Sequence, residues 1–168
     1  VLQADDRTFW AFSGRKLCLY THEEIKKEEG EILFISLKCK KEFDGLLDSE
    51  ESFSAMCYAP DQETLWLVTD RGKLILFRPD APDDFQTVRL WNQGSLEVTS
   101  VLCDKGFVWV ATIVRGILRY QMDSGHVDRI TYYGDGVKNQ LSHTDVFQEI
   151  PISNDRYLAV TWSGYTLL

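Results

Sequence analysis

One hairpin, written four times, constrains this chain more than any other feature. The stretches "TFWAFSGRKLCLY" (8–20), "TLWLVTDRGKLILF" (64–77), "FVWVATIVRGILRY" (107–120) and "YLAVTWSGYTLL" (157–168) each read as a strand, a tight turn and a second strand. The small hydroxyl residue ending each first strand anchors the comparison, at Ser13, Thr69, Thr112 and Thr161. Three positions earlier stand Trp10, Trp66, Trp109 and Leu158. Units recurring every 40–50 residues or so, with several short strands in each, are the mark of propeller blades. Helical repeats of that length need apolar residues at 3.6 spacing, whereas these segments alternate or run β-branched and aromatic.

The spacing predicts an all-β partial propeller of about three to four blades, each of four antiparallel strands. The chain reads as a single segment over 1–168 with blade-like units at about 1–43, 44–91, 92–134 and 135–168. The unit at 44–91 gives strands "SFSAMCYA", "TLWLVTD", "GKLILFR" and "FQTVRLW". The next gives "VTSVLCD", "FVWVAT", "GILRYQM" and "VDRITYY". Turn-forming residues separate them in "APDQET", "DKG" and "DSGH". The first unit is read as opening on its second strand, and the fourth as stopping inside its third. An isolated sheet leaves both apolar faces wet, so blades bury them against one another, with the recurring Trp as the wedge. An incomplete arc is the expectation, covered by further blades of a parent chain or by self-association. A β-sandwich with chance resemblance among its strands is the competing reading. The segment "THEEIKKEEGE" (21–31) fits poorly; its helix formers and the Thr21/Glu24 pair suggest a charged excursion with a helical turn.

Net charge of −8 argues against general affinity for nucleic acid or an anionic membrane surface. No apolar run is long enough to cross a bilayer. Cys18, Cys39, Cys57 and Cys103 form no CxxC pair, so no metal site is expected, and they read as small buried hydrophobes with the disulfide state open. No P-loop, GxGxxG or HExxH spacing is present, and no cofactor is expected. Ser142, His143 and Asp145 stand too close along one loop to make a catalytic triad, which draws on separate chain regions. Catalytic activity in this segment is therefore not expected.

A binding site is the better expectation, and strand order says where. In a four-stranded antiparallel blade, the second-to-third turn and the link to the next blade emerge at the same end. That end collects Arg15, Arg71 and Arg115 from the turns, Trp162 and Ser163 from the fourth unit, and Trp91, Asn92, Gln93, Asn139, Gln140 and His143 from the links. Arg71, Arg115, Trp162, His143 and Trp91 are the candidate ligand-binding residues, suited to a sugar or small acidic ligand. The plain alternative is that the arginines tie neighbouring turns to carbonyls or to Asp70.

"LWLVTDRGKLILF", "VWVATIVRGILRY" and "GVKNQLSHTDVFQEI" with "NDRYLAVTWSGYTLL" resemble two-component regulator propeller repeats. That family's blade pattern is close to [LV]-W-[VI]-[GA]-T-x-x-G-[LI], preceded by a Gly-Leu-x-Ser/Asn-x-x-Val segment; "DGLLDSEESFSAM" (44–56) and "QLSHTDVFQEI" (140–150) take the preceding place. The usual Gly before Thr is Val68, Ala111 or Val160 here, and Leu158 replaces Trp. The resemblance implies a non-enzymatic, periplasmic ligand-sensing segment of a membrane-bound regulator. The parent would carry a histidine kinase, respond to carbohydrate breakdown products and control transcription. An interaction scaffold, or a fragment of a propeller lyase or glycosidase, are the alternatives.

Overall fold

A computed structural model describes residues 1–26, 32–59, 62–132, 141–153 and 155–168. They form strands and turns arranged in four antiparallel sheets. The chain divides into two compact units, Val1–Phe53 and Ser54–Leu168.

The first unit is one sheet of β1 (Leu2–Gln3), β2 (Thr8–Ser13), β3 (Lys16–Lys26) and β4 (Ile32–Phe43), in that order. The sequence reading placed "TFWAF" first, and β1 corrects it. Leu2 and Gln3 pair with Trp10 and Phe9, a strand too short to show a periodicity. The Asp5 carboxylate closes the turn between β1 and β2 by accepting the amides of Arg7 and Thr8, each at 2.8 Å. The charged excursion is also corrected. Thr21–Lys26 continue β3, with Thr21 opposite Lys38 and Glu23 opposite Ser36; the rest of that stretch lies outside the described residues. A β-rich partner, "ILFISLK", overrides the local preference of Glu and Lys for helix. Trp10 and Phe12 turn to one face, against Phe43 and Phe53, each pair with centroids 5.8 Å apart.

The second unit holds three sheets. β5 (Phe53–Ala59), β6 (Thr64–Thr69), β7 (Lys73–Phe77) and β8 (Gln86–Arg89) make the first. β9 (Val98–Asp104), β10 (Phe107–Thr112), β11 (Gly116–Gln121) and β12 (Val127–Ile130) make the second. β13 (Val146–Ser153), β14 (Arg156–Thr161) and β15 (Gly164–Leu167) make the third, so the last hairpin is completed by a full third strand.

Alternation along β10 shows why the sheets stack. Successive side chains of a strand leave opposite faces. Val108 and Val110 enter one core with Trp66, Val68, Leu74, Leu76, Leu118 and Tyr120. Trp109 and Ala111 enter another with Ile117, Val146, Tyr157 and Ala159. β10 is therefore buried on both faces between its neighbours, as a blade strand must be. The indoles act as wedges, Trp66 against Tyr120 at 5.5 Å and Trp109 against Tyr157 at 4.5 Å. Burying a side chain of this size stabilises by about 2–3 kcal/mol. The Tyr157 hydroxyl donates to Asp104 Oδ2 at 2.6 Å, a polar tie beside the second core.

The cysteines depart from the sequence reading. Cys57 of β5 and Cys103 of β9 form a disulfide between the first strands of two neighbouring sheets, with Cα atoms 5.9 Å apart. Cys39 is exposed, and only Cys18 behaves as a small buried hydrophobe without a disulfide. Stacked sheets bring together residues 46 positions apart, a proximity that sequence spacing does not display.

Candidate functional site

The turns β6–β7, β10–β11 and β14–β15 and the links between sheets gather at one end of the second unit. Backbone bonds fix this. Leu96 N donates to Asp70 O at 2.7 Å, Ile113 N to Glu97 O at 3.0 Å, Gly116 N to Thr144 O at 2.8 Å and Trp162 N to Asp145 O at 3.1 Å. The recurrent threonine closes each turn from within. Thr69 Oγ1 accepts the amides of Arg71 and Lys73 at 3.3 and 3.0 Å. Thr112 Oγ1 donates to Gly116 O at 2.7 Å, and Thr161 Oγ1 to Gly164 O at 3.1 Å. All three are buried.

Trp91 is the centre of the site. Its backbone lies on Gly72, whose φ of +73° and lack of a side chain permit the approach; a Cβ there would stand 2.5 Å from that of Trp91. The indole N–H donates to Gln93 O at 2.7 Å, which fixes the ring plane. Two guanidinium groups lie over that ring, Arg115 at 4.8 Å and Arg129 at 5.4 Å from its centroid. Arg129 Nε donates to Arg115 O at 2.9 Å, and Arg89 does the same to Arg71 O at 3.0 Å. The β6–β7 and β10–β11 turns are thus each backed by an arginine from the last strand of their own sheet. A cluster of positive groups results on a protein whose net charge is −8. Guanidinium groups stacked on an indole are held in place while their N–H edges stay available to an acceptor.

His143 and Trp162 lie on the neighbouring part of this end. His143 Nδ1 accepts the Asp145 amide at 3.0 Å, so a neutral ring carries its proton on Nε2. Tyr132 lies 6.5 Å from the imidazole. Asp145 Oδ1 accepts the Val114 amide at 2.7 Å and so connects this part to the turn bearing Arg115. Trp162 is 73 % exposed, with Phe147 at 6.1 Å. Arg71 is exposed on its turn. Ser142 Oγ bonds to Thr161 Oγ1 at 2.7 Å instead of approaching His143, so no triad is assembled there.

Arg15 takes the plain role in the first unit, donating to the carbonyls of Leu47 and Ser49 at 3.1 and 3.3 Å. Asn139 and Gln140 lie outside the described residues. Arg89, Arg129 and Tyr132 were not foreseen. The signal for the two arginines was their matching position in "TVRL" and "VDRI", the closing strands of consecutive sheets. Among the described residues no cluster of His, Cys, Asp and Glu could hold a metal ion, and no helix is long and apolar enough to cross a membrane.

The chain matches no protein-family model and no curated protein. Solved structures do match. The extracellular domain of a proposed hybrid two-component system, BT4673 from B. thetaiotaomicron, aligns with 98 % of this chain at 14 % identity and a TM-score of 0.65. That of BT3049, from the same organism and described likewise, aligns with 91 % at 18 % identity and 0.55. The C-terminal WD40 domain of Sif2 aligns with 98 % at 13 % identity and 0.52. The chain spans 20 %, 18 % and 45 % of those chains' own lengths. At such identities the likeness establishes architecture, and that architecture is the β-propeller.

Proposed function

We propose that the chain is a ligand-sensing segment of an extracytoplasmic propeller in a membrane-bound two-component regulator. On this reading, the end built around Trp91 recognises a carbohydrate breakdown product. The observation that carries the binding part is the Arg115–Trp91–Arg129 stack. The indole holds the two guanidinium groups in place, and their N–H edges suit the hydroxyl or carboxylate oxygens of a sugar or uronate. Placement outside the cytoplasm is supported by the extracellular domains among the structural neighbours and by the Cys57–Cys103 disulfide, a bond that persists in oxidising compartments. Calorimetric titration of neutral and uronate-containing oligosaccharides tests the reading. Saturable binding lost in Trp91→Ala supports it. Absence of binding across the panel, or binding unchanged in that variant, refutes the site.

A second reading concerns the last sheet, where one specific observation favours a protein contact. Its outward face carries Ile150, Leu158, Val160, Trp162, Tyr165 and Leu167, four of them exposed large hydrophobics. Val160 pairs with Tyr165 and Leu158 with Leu167. The same register positions in the two preceding sheets are Val68 with Leu74 and Trp66 with Leu76, then Ala111 with Ile117, and all of these are buried. We propose that a further blade of the parent chain seats on this face. Hydroxyl-radical labelling of Tyr165 and Trp162 is expected to fall when that blade is present; equal labelling with and without it would count against the contact.

A further inference from the structure

The first unit contains a second pair of cysteines that the sheet register brings together. Cys18 lies on β3 and Cys39 on β4. Ala11 pairs with Cys18 and Phe9 with Tyr20, while Tyr20 pairs in turn with Cys39. Alternation puts Cys18 and Tyr20 on the same face, and direct pairing adds Cys39 to it. A register shift between Leu19 and Tyr20 gives β4 one extra residue, so Cys39 sits diagonally from Cys18 while Cys18 itself faces Glu42. The Cys39 thiol adds to the burial that raises the Cys18 thiol, and the Tyr20 hydroxyl opposes it, as groups on one shared face would. Cys18 is 5 % exposed and Cys39 is exposed.

We propose that Cys18 and Cys39 are a disulfide-forming pair that staples β3 to β4 in the oxidised protein. Exposed Cys39 is the entry point. Its thiolate attacks the disulfide of a small-molecule or protein oxidant, forming a mixed disulfide and releasing one thiol of the oxidant. The Cys18 sulfur, giving up its proton to solvent, then attacks the Cys39 sulfur; the second oxidant thiol leaves and the intramolecular bond is made. Two protein thiols are oxidised and one oxidant disulfide becomes two thiols, so electrons and protons balance. The division of roles follows from burial, which holds the Cys18 thiol above its ordinary range against the lowering influence of Tyr20, and keeps it from external attack. Lys38, Lys40 and Lys41 flank Cys39 and favour the approach of an anionic oxidant such as oxidised glutathione.

The proposal rests on the extracytoplasmic reading only for where the oxidant comes from in life. Supplying the oxidant directly therefore tests the chemistry apart from the location. The whole chain is reduced under native conditions, equilibrated with oxidised glutathione, and analysed by intact mass and by non-reduced peptide mapping. The expected result is loss of four hydrogens, with one peptide pair joined at Cys57–Cys103 and another at Cys18–Cys39. In Cys39→Ser the loss falls to two hydrogens and Cys18 is recovered as a free thiol. In a Cys57→Ser/Cys103→Ser variant the Cys18–Cys39 pair still forms, which separates it from shuffling. Loss of only two hydrogens from the unaltered chain, a stable glutathione adduct on Cys39, or a dimer joined through Cys39 with Cys18 free would each overturn the assignment.

Discussion

Replacing Glu149 by Gln is expected to change the pH dependence of stability in a direction and amount that the structure dictates. Glu149 lies on β13, 4 % exposed. Ser100 Oγ, from the neighbouring sheet, donates to its Oε2 at 2.8 Å. Its Oε1 is buried with no hydrogen-bond partner among the described residues. Burial pushes this carboxyl up to about 7 from 4.5, against the Ser100 bond that pulls it down. A folded state that holds its proton more tightly than the unfolded chain is penalised as pH rises. Below about pH 4.5 both states are protonated and no penalty exists. Between there and about pH 7 the unfolded chain ionises first, and the penalty grows by about 1.4 kcal/mol for each pH unit. Above that range it levels at about 3 kcal/mol. Gln keeps the shape and an acceptor for Ser100 but cannot ionise. The variant should therefore gain on the parent by about 3 kcal/mol between pH 4 and pH 8, or roughly 6–12 °C in melting temperature for a chain of this size. Urea unfolding of both proteins across that range measures it. A stability difference that stays flat with pH would refute the claim that burial raises the Glu149 carboxyl above its ordinary range.

Other perturbations test other parts of the argument. Trp109→Ala should cost about 3–5 kcal/mol in urea denaturation, because it empties a core position, whereas Trp162→Ala, at a site 73 % exposed, should cost well under 1 kcal/mol; equal costs would contradict the wedge role. The Cys57→Ser/Cys103→Ser variant should lose about 4 kcal/mol against the oxidised parent, the loop-closure value for cysteines 46 residues apart, and should match the fully reduced parent in the same assay. Gly72→Ala meets both a positive φ and a contact 2.5 Å from Trp91 Cβ, so a loss of about 2 kcal/mol or more is expected, together with an altered near-ultraviolet signal from the displaced indole.

The hairpins were legible because each carries its information locally. Alternating or solid apolar runs with Gly and Asp between them define β6, β7, β10 and β11 without reference to the rest of the chain. Trp10, Trp66 and Trp109 announced the packing positions by recurring in phase, and all three are buried to the same degree. The failures share one cause, which is that the deciding partner lay elsewhere. Thr21–Lys26 are strand because β4 pairs with them, and Leu2–Gln3 because Trp10 and Phe9 do. Cys57 and Cys103 are joined because two sheets stack. At the site, strand order alone brought Trp91 and Arg115 to one end. The ring contact of Arg129 depends on how β12 folds back along β11, which no local pattern encodes.

The threonine at the base of each turn has a consequence for how such a surface can change over evolutionary time. Because Thr69, Thr112 and Thr161 each close the main chain from below, the shape of the tip does not depend on which side chain is displayed upon it. Residues such as Arg71 and Trp162 can then be exchanged for others while the scaffold beneath keeps its form. Chemical preference at that end becomes a property that drifts or adapts one exposed letter at a time, with folding largely insulated from the search.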